Sequence, residues 1–413
     1  MLLPLPPSPP VLVVLAHLRW DFVFQRPHQL LSRLAGRWEV WYVEEPVLGD
    51  ETAHLEVRPT RDHLTVIVPH LAGHHDGPED TWRALGPLLA RHAAARQVVN
   101  PVVWLTTPLA WPAVPRLEPA CVVYDAMDDL ASSRDAPHAW HEREQALLQH
   151  ASVVLTAGPS LYEAWQAVHP NVHCVPSSVE VAHFAPHEPG PVEAHAAMAV
   201  PHQDELPWPR LGYFGVIDER VDLALIDTLA SRHPEWQIVM VGPVVQVDPR
   251  TLPTRPNIHW LGMQPHGRLP HLLAGWDLCL VPFFHDPAAR SLSPTKILEY
   301  MAGEKPVVST PLRDVVMLYG HVVEIAEPGD AFVEACERVL GETGQARCRR
   351  AMEMLTTVSR HSWDRSADSV HRLIVQALPA GRHDDPAPER IEPASWSGPA
   401  SSGAAAALRP RAD

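Results

Sequence analysis

The sequence predicts an α/β protein built from two doubly wound parallel-sheet domains facing a central cleft. Two observations carry that expectation. Short apolar runs alternate with amphipathic helical stretches along most of the chain, the pattern of parallel strands covered on both faces. The alternation then stops between 182 and 209, in AHFAPHEPGPVEAHAAMAVPHQDELPWP, and resumes as a second series of similar size.

Each series reads element by element. Val11 to Ala16 (VLVVLA) predicts the first buried strand, and Pro27 opens an amphipathic helix, HQLLSRLAGR. Strands follow at 39–43, 64–68, 102–105, 122–124, 153–156 and 172–175, with helices at 80–95, 136–150 and 160–168. The second series predicts strands at 211–214, 237–241, 258–261, 278–281, 307–309 and 322–325. Its helices fall at 223–232, 268–274, 294–302, 331–340 and 346–356, and a last helix covers 363–378. The expected domains are therefore 11–185 and 210–360, with a linker at 186–209 and a closing helix at 361–378. Residues 1–10 and 379–413 read as disordered ends from their Pro-rich, low-complexity composition.

Composition narrows the function classes. The formal charge of −16 argues against nucleic acid or an anionic membrane as the main partner, while leaving room for a local basic pocket. Five cysteines lack paired metal-ligand spacing and read as reduced core thiols of a cytoplasmic protein. The 26 histidines are scattered along the chain, as compositional bias would scatter them. Prolines 4, 6, 7, 9 and 10 interrupt any apolar signal helix, and no apolar run approaches the roughly 20 residues of a membrane span. The first strand ends in AHLRWDF without a glycine, so a dinucleotide fingerprint is absent.

One stretch carries chemistry: DLCLVPFFHDPAARSLSPTKILEYMAGEKPVVST, at 277–310. It predicts a strand, a polar loop, a short helix with Ser293 as N-cap and Pro294 in the first turn, and another strand. Lys296 opposes the positive end of the helix dipole, which makes physical sense where an anion docks. Glu299, three residues on, shares its side of the helix and could accept sugar hydroxyls. A plain i,i+3 ion pair on a solvated face is the alternative. Opposite, the loop 17–26 offers Trp20, Asp21, Phe24, Arg26 and, just beyond, His28. Asp125, Asp128 and Asp129 follow another strand end.

With those residues in view, LSPTKILEYMAGEKPVVST resembles the donor-binding helix and strand of GT-B glycosyltransferases of the retaining, family-four type. GYFGVIDER (212–220), VPSSVEVAHFAP (175–186) and HSWDRSAD (361–368) resemble other segments of that family, in the right order. WDFVFQRPHQLLSRLA and VVYDAMDDL look like a bacterial subgroup resembling the teichuronic-acid, cell-surface polysaccharide transferases. The resemblance implies two Rossmann-like domains and transfer of a sugar from a nucleoside-diphosphate-sugar to a saccharide or lipid-linked saccharide hydroxyl, with retention. Gly215, Arg220, Ser293, Lys296 and Glu299 would then meet the donor nucleotide diphosphate, joined by Arg26, and Asp286 and Ser291 the donor sugar. Asp128 and Asp21 would act on the acceptor side. The resemblance implies no metal and no cofactor, the nucleotide-sugar being a co-substrate. It also implies a cytoplasmic protein, with association at the inner membrane face and oligomeric state left open.

The sequence departs from the family in three places. Ser291 stands where many members carry a sugar-binding glutamate, so that Asp286 or His285 would substitute. Ser177-Ser178 replaces Asn-Gly, and Met127, followed by Asp128, replaces a histidine. Two other readings stay open: a sugar-nucleotide epimerase of the same fold, and a glycan-assembly binding protein that has lost turnover.

Overall fold

A computed structural model describes residues 10–60, 64–127, 138–186, 201–284 and 295–379. The expected leader, most of the linker, the tail, and Asp128, Asp129, His285, Asp286, Ser291, Ser293 and Pro294 lie outside the described residues.

The first domain is a nine-stranded sheet. Its strands are β1 (Val11–Leu15), β2 (Glu39–Val43), β3 (Val47–Asp50), β4 (His54–Pro59), β5 (Leu64–Ala72), β6 (Val102–Leu105), β7 (Cys121–Ala126), β8 (Val153–Thr156) and β9 (Val172–Cys174), in the order β3-β5-β2-β1-β6-β7-β8-β9. All pairings are parallel except that of β4, which runs antiparallel to β5. The second sheet comprises β10 (Arg210–Phe214), β11 (Gln237–Val241), β12 (Ile258–Gly262), β13 (Leu278–Val281), β14 (Val307–Ser309) and β15 (Glu324–Ile325), in the all-parallel order β12-β11-β10-β13-β14-β15. Runs such as VLVV, VVWL and LCLV bury almost every residue, because helices cover both faces.

Four described elements that go beyond the sequence pattern bear on the fold. β3 and β4 form a polar edge in which Glu56 and Arg58 replace any apolar run, as edge strands commonly do. Pro108–Leu117 winds as a 3₁₀ helix whose prolines at 112 and 115 interrupt regular α-helix, and Arg313–Tyr319 forms a helix straight after Pro311 and Leu312. The helix expected from Pro294 is described from Lys296 to Ala302, with Thr295 at its cap position.

The chain passes between the domains twice. Val175 belongs to the first core and Val179 to the second, while Val358 belongs to the second and Trp363 to the first. The first passage touches the helix that follows the second, Ser178 Oγ lying 2.9 Å from Ser366 Oγ. Beyond the second, helix Trp363–Ala377 buries a stripe at Trp363, Ala367, Val370 and Ile374 against the first domain, spaced as a helix face requires. Asp364 accepts from Arg33 Nε at 2.7 Å, and Trp38 Nε1 donates to His371 Nδ1 at 3.0 Å.

Candidate functional site

The carboxyl ends of β1, β10, β11 and β12 border a cavity of about 330 Å³, lined by both domains. Ligands of open α/β sheets bind at such ends.

Its floor is second-domain backbone. Gly215 and Gly242, which end β10 and β11, adopt φ of +144° and +146°, values that favour glycine. A Cβ on Gly242 would stand 1.8 Å from the Gly215 carbonyl, and one on Gly215 would stand 2.7 Å from Lys296 Cε. The glycines therefore let two strand ends and the lysine share one small volume. The Lys296 helix is fixed to this floor by Tyr300, whose hydroxyl accepts the Phe214 N–H at 2.9 Å. One turn earlier, Lys296 Nζ lies 5.2 Å from the Tyr213 ring centre and 5.0 Å from that of Phe283. Aromatic faces hold an ammonium while leaving its charge in place for a further anion.

Glu299 also lines the cavity. Burial pushes its carboxyl up to about 7, against the opposing pull of Lys296. Arg220 reaches the cavity rim from the loop after β10, and its guanidinium is paired with Asp218, Nη2 to Oδ2 at 2.6 Å. To meet a diphosphate it must turn from, or share, that carboxylate.

The opposite wall is the loop between β1 and the helix Arg26–Leu34. Buried Glu44 accepts from Arg19 Nη1 at 2.9 Å and from the Trp20 N–H at 2.8 Å. His28 accepts the Gln25 N–H on Nδ1 at 3.0 Å and donates from Nε2 to the Trp20 carbonyl at 2.6 Å. That pattern defines one neutral tautomer and makes His28 the peg on which the loop hangs. Trp20 packs on both His28 and Tyr42, so the aromatic loop is a positioned wall. Phe24 stacks on His266 from the second domain at 4.4 Å, closing one end of the cavity across the domains. His266 itself stacks on His183, and burial lowers its ring to about 4.

The residues singled out in sequence divide clearly. Trp20, Asp21, Phe24, His28, Gly215, Arg220, Lys296 and Glu299 line the cavity together. Arg26 lies outside that lining. It is buried, donates to both Asp125 carboxylate oxygens at 3.1 and 3.4 Å, and donates to the Val175 carbonyl at 2.6 Å, where the chain leaves the first domain. The expected diphosphate contact from Arg26 gives way to a structural ion pair, and Asp125 is its partner. Asp21 carries its carboxylate 3.2 Å from Arg58 Nη1, with 74% of its side chain exposed. Ser177 and Ser178, at the inter-domain passage, are buried.

Sequence reading passed over Gly242, Tyr213, Phe283 and the segment Met263–His266 after β12, all of which line or cage the site. For Gly242 a signal existed: it is a glycine directly after a buried strand, as Gly215 is. Nothing local marked Tyr213 and Phe283 as a cage for Lys296.

Comparison with known proteins bears on the same segments. The family model described as glycosyl transferases group 1 matches residues 209–342. TuaH of Bacillus subtilis, named as a teichuronic acid biosynthesis glycosyltransferase, is 33% identical over 141 residues, which are 32% of this chain and 35% of that protein. The match thus spans about a third of the length of that curated relative. A sucrose-phosphate synthase from Thermosynechococcus elongatus superposes with a TM-score of 0.69 at 17% identity, over 89% of this chain and 98% of the other. HepE of Anabaena, in complex with UDP and glucose, does so with a TM-score of 0.61 at 15% identity, over 89% of this chain and 100% of the other. An α,α-trehalose 6-phosphate synthase from Burkholderia multivorans gives 0.62 at 12% identity, over 89% and 98%. The chain has the GT-B fold, and its residues 209–342 are similar to the glycosyl transferases group 1 family.

Proposed function

We propose that this chain is a glycosyltransferase that moves a sugar from a nucleoside-diphosphate-sugar to a hydroxyl of a saccharide or lipid-linked saccharide acceptor, with retention, in building a cell-surface polysaccharide. The single observation behind it is Lys296, caged by Tyr213 and Phe283 above two positive-φ glycines on the floor of the inter-domain cavity.

The barrier to such a transfer is the charge on the departing diphosphate and the alignment of the acceptor. Lys296 meets that charge as it develops, and Arg220 adds a second cation from the rim. Glu299, one turn deeper, accepts ribose hydroxyls, an interaction that favours its ionised form. In the 285–294 segment Asp286 and Ser291 remain the proposed contacts of the donor sugar, and Ser293 of the diphosphate. Phe283 and Thr295, close to its two ends, both line the cavity. On the acceptor side Asp21, with Asp128, is the proposed carboxylate that receives the acceptor hydroxyl and its proton. Teichuronic acid biosynthesis in the name of the Bacillus relative, and the UDP and glucose bound by the Anabaena neighbour, support an envelope polysaccharide and a uridine donor. A cytoplasmic site of action, at the inner membrane face, fits that role. Among the described residues no helix is long and apolar enough to cross a membrane.

Calorimetric titration of UDP into the wild type and Lys296→Ala tests the reading. The expected result is binding by the wild type, at least tenfold weaker in the variant with an unchanged melting temperature. Equal affinity in both would overturn it.

A further inference from the structure

At the outer edge of the first sheet, three strands bring together side chains that lie up to 20 residues apart in sequence. β4 and β5 oppose His54 directly to His70, and β3 pairs Asp50 with Ala72, two residues along β5 and so on the same face. The ligand atoms that Asp50, His54 and His70 can offer all lie within 4.8 Å of one another. Glu56 stands beside them, its Oε2 3.5 Å from His70 Nε2.

Two further observations point to a bound cation. The first is the hydrogen bonding of His54, whose Nδ1 donates to the Thr52 carbonyl at 3.1 Å. That bond leaves a neutral ring with its lone pair on Nε2, the orientation that a backbone carbonyl commonly imposes on a metal-bound imidazole. The second is His70. Both its ring nitrogens are buried without a well-directed hydrogen bond, although Nδ1 lies 2.5 Å from Asp50 Oδ2 and Nε2 faces Glu56. A neutral imidazole has one N–H and cannot donate to two carboxylates. A divalent cation between Asp50 and His70 removes the conflict, because carboxylate oxygen and ring nitrogen then both turn lone pairs toward the same charge.

We propose that Asp50, His54 and His70 form a divalent transition-metal site of the zinc type. Two imidazoles and one carboxylate select such an ion over magnesium or calcium, which prefer all-oxygen shells. In a tetrahedral shell, bond lengths of about 2.0–2.2 Å place ligand atoms about 3.4 Å apart. Asp50 and His70 therefore part from 2.5 Å, and atoms as far as 4.8 Å from one another close by roughly 1.4 Å. The rings of His54 and His70 stack at 4.5 Å and 6°, so the exposed His54 also turns about its side-chain bonds to aim Nε2 at the ion. Bound there, the ion ties together three strands that share few apolar contacts. The ribbon continues toward the cavity through Glu56 and Arg58, Nε to Oε1 at 3.6 Å, and on to Asp21 at 3.2 Å. The site is separate from the donor floor, and it does not depend on the transferase reading.

The test is zinc(II) titration by calorimetry into the full chain after chelator dialysis, for the wild type, His54→Ala/His70→Ala, Asp50→Asn, and His74→Ala as a control for an exposed histidine outside the cluster. The expected result is one tight equivalent in the wild type and His74→Ala. Affinity should fall at least 100-fold in the double variant and about tenfold in Asp50→Asn, and zinc should raise the melting temperature only where the tight equivalent binds. Cobalt(II) should show visible d–d bands that the double variant lacks. Retention of the tight equivalent by the double variant overturns the proposal. So does a wild type that takes up no zinc.

Discussion

The two faces of the cavity solve opposite problems. The second-domain floor removes side chains, with Gly215 and Gly242 at positive φ, so that Lys296, Arg220 and Glu299 bring charge into the space. The first-domain wall keeps most of its charge off the cavity: Glu44 and His28 hold the loop, Arg26 and Asp125 pair beneath it, and the surface offered is largely Trp20, Phe22 and Phe24, with Asp21 as its carboxylate. A floor of fixed charge suits a ligand part that never varies, such as a diphosphate. A wall of aromatic faces suits a partner recognised by shape.

The sharpest way to break this contrast is Arg26→Ala. If Arg26 is structural, the variant leaves Asp125 as a buried unpaired charge and costs about 3–5 kcal/mol of stability, read by urea denaturation. A full-strength fold with lost UDP affinity would instead return Arg26 to the donor site. Gly215→Ala comes next. The new Cβ meets the end of Lys296 and holds a strained backbone, costing about 1–3 kcal/mol in stability, and UDP affinity should fall with it. On the wall, Asp21→Asn should lower kcat/KM for the acceptor at least about 100-fold, as loss of a proton-accepting carboxylate does. UDP affinity and melting temperature should stay as they are, since the Asp21–Arg58 pair is largely exposed and such pairs contribute about 0–1 kcal/mol. A change in UDP affinity would merge the two faces into one.

The smallest effect is in pH. Glu299 is raised to about 7 by burial, so the folded state binds more protons than the unfolded one between about 4.5 and 7, and its contribution to stability falls as pH rises through that window. His266, lowered to about 4, acts in reverse: the unfolded state binds more protons between about 4 and 6.5, and stability is lost as pH falls. The two slopes oppose each other. Glu299→Gln should leave a profile that climbs with pH over that range, and His266→Phe one that declines, both measured as melting temperature against pH.

The same contrast explains what could be read from sequence. The strands and most helices were legible because burial on both faces writes itself locally, as in LCLV and VLVV. Lys296 and Glu299 were legible too, since a cation and a carboxylate one turn apart at a strand end form a pattern within four residues. The wall was not. Arg26 finds Asp125 across 99 positions, and only the folded sheet shows that the pair faces away from the ligand. The histidines look scattered because His54 and His70 meet only through the register of β5 with β4, a polar edge strand that has no apolar run to announce it.

The neighbouring passages of chain between the domains have a mechanical consequence. A body tethered at one point can swing in any direction, whereas two neighbouring tethers leave it chiefly one rotation, about the line that joins them. The tethers are 175–179 and 358–363; Ser178 bonds Ser366 just past the second, and Arg26 clamps the start of the first at Val175. The domains should therefore move as a door on two pins, and the Phe24–His266 stack, bridging the leaf and the frame, is the latch that opening must part.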